Sequence, residues 1–145
     1  MNNNGRSLWI LLAWKDPEGT FLIKEMLKET GVEFRITVAE NGKKALDILN
    51  RTKGSEDGRI DLVILDLDLP KIDGFEVLSY VRSMHHLREI PIAVMTRSYD
   101  VDDEKKATGL GADHYFARPS SNAEFKAIVA WLKDALLERQ RIVSG

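Results

Sequence analysis

Two carboxylates follow an apolar run near the middle of the chain. In the segment DLVILDLDLP, Asp66 comes directly after the run LVIL, and Asp68 comes two residues later. An ionised carboxylate that is buried without a partner is costly, so such groups are either kept at an exposed strand end or used in chemistry. A carboxylate at a strand end can act as a nucleophile toward a phosphoryl group.

Two more polar side chains stand at the ends of later apolar runs. Thr96 ends the run IPIAVMT, and Arg118 directly follows the run HYFA. A Thr hydroxyl can donate a hydrogen bond to a phosphoryl oxygen, and a cation can balance the charge that a phosphoryl group brings. Together with Asp66 they predict a phosphate-accepting site, provided that the fold brings the three run ends to one place.

Apolar runs of strand length alternate with amphipathic helical patterns along the chain. This alternation predicts an α/β fold of (βα)5 type, in which helices cover both faces of a parallel sheet. Ligands bind such sheets at the carboxyl ends of the strands, which is where the three polar residues stand. The runs are LWILLA (Leu8–Ala13), FRITVA (Phe34–Ala39), LVILD (Leu62–Asp66), IPIAVMT (Ile90–Thr96) and HYFA (His114–Ala117).

Helix boundaries are also marked in the sequence. Asp16 followed by Pro17 predicts the start of the first helix, because Asp is a good N-cap and Pro is tolerated in the first turn. Gly31 stands where that helix should end. The last amphipathic pattern predicts a helix from about Asn122 to Arg139.

Length and composition indicate one domain that spans residues 1–145, with a core from about 7 to 139. The chain has 145 residues, 43% of them hydrophobic, and its 21 Lys and Arg residues against 23 Asp and Glu residues give a net charge of -2. Nothing in this balance favours nucleic acid or an anionic membrane as a partner. There is no cysteine, which excludes disulfides and thiolate chemistry. The apolar run from Leu8 to Trp14 is too short for a signal-peptide core or a membrane span, so we expect a cytoplasmic protein.

The segments VILDLDLPKIDGFEVL, MT and GADHYFARP, in this order and spacing, resemble the response-regulator receiver domain of two-component signalling, the CheY-like superfamily. The resemblance covers nearly the whole chain. It implies a flavodoxin-like, doubly wound parallel sheet of five strands in the order 2-1-3-4-5. It also implies a stand-alone receiver in a phosphorelay rather than an enzyme, similar to the receivers paired with phytochrome-type kinases.

The resemblance assigns roles to individual residues. It makes Asp66 the phosphoacceptor, Thr96 the switch hydroxyl and Tyr115 the aromatic switch residue. Arg118 stands where the family has a Lys, and it is the implied cation for the carboxylate and the phosphoryl group. The family pattern also makes the Arg118–Pro119 bond a candidate for the cis form.

The implied partner is a sensor histidine kinase or a phosphotransfer protein that donates the phosphoryl group. Family members often dimerise through the fourth and fifth helices. The last helix carries Trp131, Ala135 and Leu137 beyond its main apolar stripe, more than one buried face needs. We therefore expect a homodimer through these two helices, and neither nucleic acid nor a membrane is an expected partner.

The first strand end departs from the family pattern. Trp14 and Lys15 stand where receivers have the two adjacent acids that hold Mg²⁺. The remaining metal ligands would be Asp66, the backbone carbonyl of Asp68 and Asp16, and we expect Asp16 to serve as a helix cap instead. Because Lys15 is a candidate charge partner of Asp66, we expect Mg²⁺ binding to be weak or absent. The charges of Asp66 and Lys15, together with the cation after the fifth strand, sum to -1 + 1 + 1 = +1.

Three function classes remain open. The first is a receiver that accepts a phosphoryl group on Asp66, and the second is a phosphorylation-independent pseudo-receiver that binds other proteins. The third is a phosphohydrolase of the DxD type, with Asp66 as nucleophile and Asp68 as general acid. Pro70 and the position of the motif on the third strand count against the hydrolase.

Overall fold

The computed structural model describes residues 7–51 and 59–144, with side chains up to residue 142. Within these ranges five strands alternate with five helices, which confirms the predicted (βα)5 order. The strands are β1 (Leu8–Ala13), β2 (Phe34–Ala39), β3 (Leu62–Asp66), β4 (Ile92–Thr96) and β5 (His114–Ala117). The helices are α1 (Pro17–Glu29), α2 (Gly42–Arg51), α3 (Gly74–Ser83), α4 (Val101–Gly109) and α5 (Asn122–Ser144).

The strands form one parallel sheet in the order β2-β1-β3-β4-β5, as the resemblance implied. Alternate residues of a strand point to opposite faces, and β1 shows the consequence. Leu11 and Ala13 pack into a core with α2, α3 and α4, whereas Ile10 and Leu12 pack into a second core with α1 and α5. The central strands β3 and β4 are buried at every position because both faces are covered.

The strand register brings the predicted polar residues to one edge of the sheet. Asp66 of β3 pairs with Met95 of β4, so it lies one register step from Thr96. Thr96 in turn pairs with Ala117 of β5, and the Arg118 N–H donates to the Thr96 carbonyl at 2.8 Å. The three run ends therefore meet at the carboxyl edge.

The predicted limits of α1 are confirmed. The side chain of Asp16 caps the helix by accepting a hydrogen bond from the Gly19 N–H, and Pro17 lies in the first turn. Gly31, with φ of 75°, lies just beyond the C-terminal end, in the left-handed region that glycine tolerates best. Asp16 therefore does serve as the cap that its place before Pro17 predicted.

Two expectations about the last third of the chain are wrong. The described residues contain no cis peptide bond, so Arg118–Pro119 is trans. Trans is the more stable form for most X–Pro bonds, and the bond follows directly on the hydrogen-bonded end of β5. Helix α5 ends at Ser144 and not near Arg139, because helix-forming polar residues continue it past its apolar stripe and Glu138 pairs with Arg141. Neither α5 nor any other described helix combines the length and apolar character that a membrane span needs.

Candidate functional site

A cleft of about 420 Å³ opens at the carboxyl edge of the sheet. It brings together most of the residues that the sequence singled out, but Thr96 and Tyr115 lie beside it and are buried. The lining residues are Trp14, Lys15, Asp16, Asp66, Asp68, Arg97 and Arg118.

Asp66 is the buried carboxylate of this cleft. It is 8% exposed, and its Oδ1 accepts a hydrogen bond from the Asp68 N–H at 3.0 Å. Burial raises the pKa of the Asp66 carboxyl, and the Asp68 and Asp16 charges add to that rise. The Asp68 N–H and the charge of Lys15 act against the rise without cancelling it. The surroundings of Asp66 therefore disfavour its ionised form.

Lys15 lies near Asp66 but does not bind it. Its side chain is exposed, it lines the cleft, and its charge lowers the pKa of Asp66. Among the described side chains, however, the two form neither a hydrogen bond nor an ion pair. The predicted charge partnership is thus a through-space interaction in this structure.

Arg118 is paired with a different aspartate from the one expected. Its Nη2 lies 3.4 Å from both carboxylate oxygens of Asp16, and its guanidinium lies 5.8 Å from the centroid of the Trp14 ring. The Trp14 Nε1 also donates to Asp16 Oδ1, at 2.5 Å. Partial burial raises the pKa of Asp16, but the hydrogen bonds from Trp14 and Gly19 and the charge of Arg118 outweigh it and lower the pKa overall.

Thr96 and Tyr115, the two predicted switch residues, form hydrogen bonds with neighbouring backbone groups. The Thr96 hydroxyl donates to the Ser98 carbonyl at 2.9 Å, so it is not directed at Asp66. Tyr115 is 8% exposed, and its hydroxyl accepts from the Asp100 N–H at 3.3 Å. Its ring meets Tyr99 edge to face at 5.6 Å between centroids. Both hydroxyls therefore form hydrogen bonds with backbone groups and not with Asp66.

Arg97 is a cleft residue that the sequence analysis missed. It lines the cleft next to Asp66 and Asp68, and its side chain is exposed. The signal was available, because Arg97 directly follows Thr96 at the end of β4. Residues at the carboxyl ends of parallel strands often contact ligands, and so does the first residue of the loop that follows, which here is Arg97.

The acidic pair that holds Mg²⁺ in receivers is replaced by Trp14 and Lys15 in this cleft. This ion needs near-octahedral oxygen coordination, but Trp14 and Lys15 offer no oxygen ligand from their side chains. The oxygens of Asp16 are engaged by Trp14, Gly19 and Arg118. In the described parts of the chain, no group of three or more His, Cys, Asp or Glu side chains is arranged to hold a metal.

The predicted net charge of +1 in the cleft is wrong. That count left Asp16 out, whereas the structure pairs Asp16 with Arg118 at the cleft wall. The charged lining residues are three cations and three carboxylates, so the sum is 3 - 3 = 0; they are Lys15, Arg97 and Arg118 against Asp16, Asp66 and Asp68.

Comparisons with known proteins agree with this fold. The family model of the response regulator receiver domain matches residues 10–130. The probable methanogenesis regulatory protein FilR2 of Methanothrix harundinacea is 35% identical over 125 residues, which cover 86% of this chain and 81% of that protein. The chain spans about half, 46%, of longer relatives that are transcriptional regulatory proteins.

Solved structures give the same result. The phosphorylated cyanobacterial phytochrome response regulator RcpA superposes with a TM-score of 0.76 at 29% identity, over 90% of this chain and 94% of that one. The Mn²⁺-bound form of response regulator Rcp1 from Synechocystis gives 0.73 at 27% identity, over 88% and 92%. The family match spans most of the length of this chain, and its fold is that of these structures. This chain therefore belongs to the response-regulator receiver domain family of two-component signalling.

Proposed function

We propose that this receiver domain accepts a phosphoryl group on Asp66 from the phosphohistidine of a sensor histidine kinase or a phosphotransfer protein, and that it does so without a bound metal ion. The setting of Asp66 carries the proposal. The side chain ends a buried strand, opens on the cleft, and has one oxygen, Oδ2, that accepts no hydrogen bond from the described residues. A carboxylate oxygen without a partner at a ligand-binding edge is available as a nucleophile.

The transfer requires only groups that the cleft and the donor provide. The free carboxylate oxygen attacks phosphorus and the P–N bond to the donor imidazole breaks. The imidazole, which is protonated on its other ring nitrogen, leaves as neutral imidazole. An acyl phosphate on Asp66 results. Lys15, Arg97 and Arg118 line the same cleft and can stabilise the charge on the phosphoryl oxygens in the transition state.

Labelling with a small phosphodonor tests the proposal. The protein is mixed with phosphoramidate, once with Mg²⁺ and once with EDTA, and the intact mass is followed. We expect slow addition of one phosphoryl group at similar rates in both, and none in Asp66→Asn. Asp73→Asn, which alters the exposed N-cap of α3, serves as the matched control and should label like the parent. Labelling that requires Mg²⁺, or that persists in Asp66→Asn, would contradict the proposal.

A pseudo-receiver is the second candidate, and a specific observation favours it. Arg118 is held by Asp16 and the Thr96 hydroxyl by Ser98, so two of the groups that should receive the phosphoryl group are engaged elsewhere. If no phosphorylation occurs with a phosphodonor or with phosphorylated kinase, the fold acts as a protein-binding module. The receiver match favours both candidates over a phosphohydrolase. We therefore propose that the protein is not an enzyme, and we also propose a cytoplasmic location.

We also propose a homodimer through α4 and α5. Leu137 of α5 and Val101 of α4 are exposed apolar side chains, at 42% and 52%. Trp131 contributes less than the sequence suggested, because its ring stacks on His114 at 5.1 Å and packs against Phe116. Sedimentation at tens of micromolar should show a dimer that Leu137→Lys weakens. A monomeric parent would contradict this arrangement.

A further inference from the structure

Asp16 takes part in three contacts on the β1 side of the cleft. It caps α1 by accepting from the Gly19 N–H at 3.1 Å, it accepts from Trp14 Nε1 at 2.5 Å, and both of its oxygens lie 3.4 Å from Arg118 Nη2. We infer that Asp16 is a positioning residue for phosphoryl transfer, which holds Arg118 away from Asp66 until the acceptor becomes more negative. This inference rests on the proposed function of Asp66.

The sequence around Asp16 is built to place its carboxylate there. Trp14 is only 3% exposed although it follows the last residue of β1, and its indole lies against the first turn of α1. That space exists because position 19 is glycine: a Cβ on this residue would overlap both the Trp14 indole nitrogen and Asp16 Oδ1. Trp14, Asp16 and Gly19 therefore form one packed unit, and the Arg118 guanidinium lies on it.

The hold on Arg118 is incomplete, which allows it to be released. Its distance to Asp16 is 3.4 Å, longer than the roughly 2.7–2.9 Å of a strong charge-assisted hydrogen bond. Its Nε is buried and has no hydrogen-bond partner in the described part of the chain. Arg118 thus keeps an unused donor, and it lines the same cleft as Asp66.

Phosphorylation changes the competition for this cation. A phosphoryl group on Asp66 adds negative charge and acceptor oxygens that match the planar donor fork of a guanidinium. Arg118 would then leave Asp16 for the phosphoryl oxygens. Since Asp16 restrains the cation in the resting protein, weakening its charge should speed the transfer.

The substitution Asp16→Asn separates the charge of this residue from its role as a cap. Asn is as good an N-cap as Asp, and its amide oxygen can still accept from Trp14 and Gly19. With phosphoramidate in EDTA, we expect Asp16→Asn to label roughly fivefold faster than the parent, the scale of a partly exposed ion pair. The same change in an Arg118→Gln background should give no acceleration.

Asp73→Asn is the matched control, since it also removes one carboxylate from a helix N-cap and should label at the parent rate. An Asp16→Asn protein that labels no faster than the parent would overturn the inference. An equal acceleration in the Arg118→Gln background would do the same, because the effect would then not pass through Arg118.

A second measurement does not depend on phosphorylation. In ¹⁵N NMR spectra, the Arg118 Nε–H resonance should move in Asp16→Asn because the guanidinium loses a neighbouring charge, and the movement should be smaller when Asp66→Asn is added because the released cation then has no ionised Asp66 to approach. A resonance that does not move overturns the inference even if labelling is normal. If the resonance moves as expected while no variant is phosphorylated, the restraint of Arg118 by Asp16 stands and the proposed function of Asp66 fails.

Discussion

Strand β3 has a buried aspartate at each end, and the surroundings of the two differ sharply. Asp61, just before the strand, is fully buried, and its carboxylate accepts from the Trp9 N–H at 2.8 Å and from Arg139 Nε at 3.1 Å. Asp66, the last residue of the strand, accepts one hydrogen bond and forms no ion pair with any described cation. Removing a buried carboxylate from its cation destabilises a fold, whereas a buried carboxylate that lacks partners is a candidate for chemistry.

The difference arises from what covers each end of the sheet. At the amino end, α5 extends past the strands and brings Arg139 onto Asp61, where the Arg139 side chain is only 11% exposed. At the carboxyl end, the loops leave a cleft, Lys15 makes no direct contact with Asp66, and Arg118 is paired with Asp16. Two acids of the same type, five residues apart at the two ends of β3, thus have different surroundings because of their neighbours.

The largest expected effect is at the amino end. Asp61→Ala removes one partner of a buried ion pair and leaves the Arg139 guanidinium without its counter-charge. We expect the free energy of unfolding to fall by about 3–5 kcal/mol, measured by urea denaturation. The control Glu138→Gln breaks an exposed pair with Arg141 and should leave stability unchanged within error. A loss at Asp61 no larger than that of the control would remove the contrast between the two aspartates.

The second prediction concerns the tight packing of Gly19 against Trp14 and Asp16, beside the cleft. A Cβ at position 19 would overlap Trp14 and Asp16, so Gly19→Ala should destabilise the protein by about 1–3 kcal/mol. Gly109→Ala is the control, because a Cβ there meets nothing within 4 Å, and it should stabilise by about 0.5 kcal/mol. Equal effects of the two substitutions would show that Trp14 is loosely packed.

The alternation of strands and helices could be predicted because the period of the hydrophobic residues and the length of each apolar run can be read from neighbouring residues in the chain. The sequence also predicted that Asp66, Thr96 and Arg118 share one edge, since the carboxyl ends of parallel strands meet. It did not predict that Arg118 would bind Asp16. That contact depends on where the Trp14 indole packs and on the missing Cβ of Gly19, which are tertiary features with no periodic signature.

The orientation of the Thr96 hydroxyl could not be predicted from the sequence either. Whether it donates to the Ser98 carbonyl or to a phosphoryl oxygen depends on the conformation of the loop after β4. Asp61 was passed over for a related reason. Its partner Arg139 lies 78 residues away in the chain, so only the folded structure shows that it is paired.

The smallest expected effect concerns Asp66 itself and the pH dependence of stability. Burial raises the pKa of this carboxyl above that of the unfolded chain, about 3.9, so between the two pKa values the folded state binds more protons than the unfolded state. Ionisation of Asp66 therefore lowers the free energy of unfolding as the pH rises from about 4 through its folded-state pKa, and the loss is complete above that pKa.

Asp66→Asn keeps the acceptor for the Asp68 N–H but cannot ionise. At pH 7 it should be slightly more stable than the parent, and this advantage should vanish at pH values where the side chain is neutral in both proteins. Urea denaturation of the two proteins across this range measures the difference directly. An Asp66→Asn protein that is less stable than the parent at neutral pH would mean that the ionised carboxylate has a stabilising partner, and the contrast with Asp61 would then be one of degree.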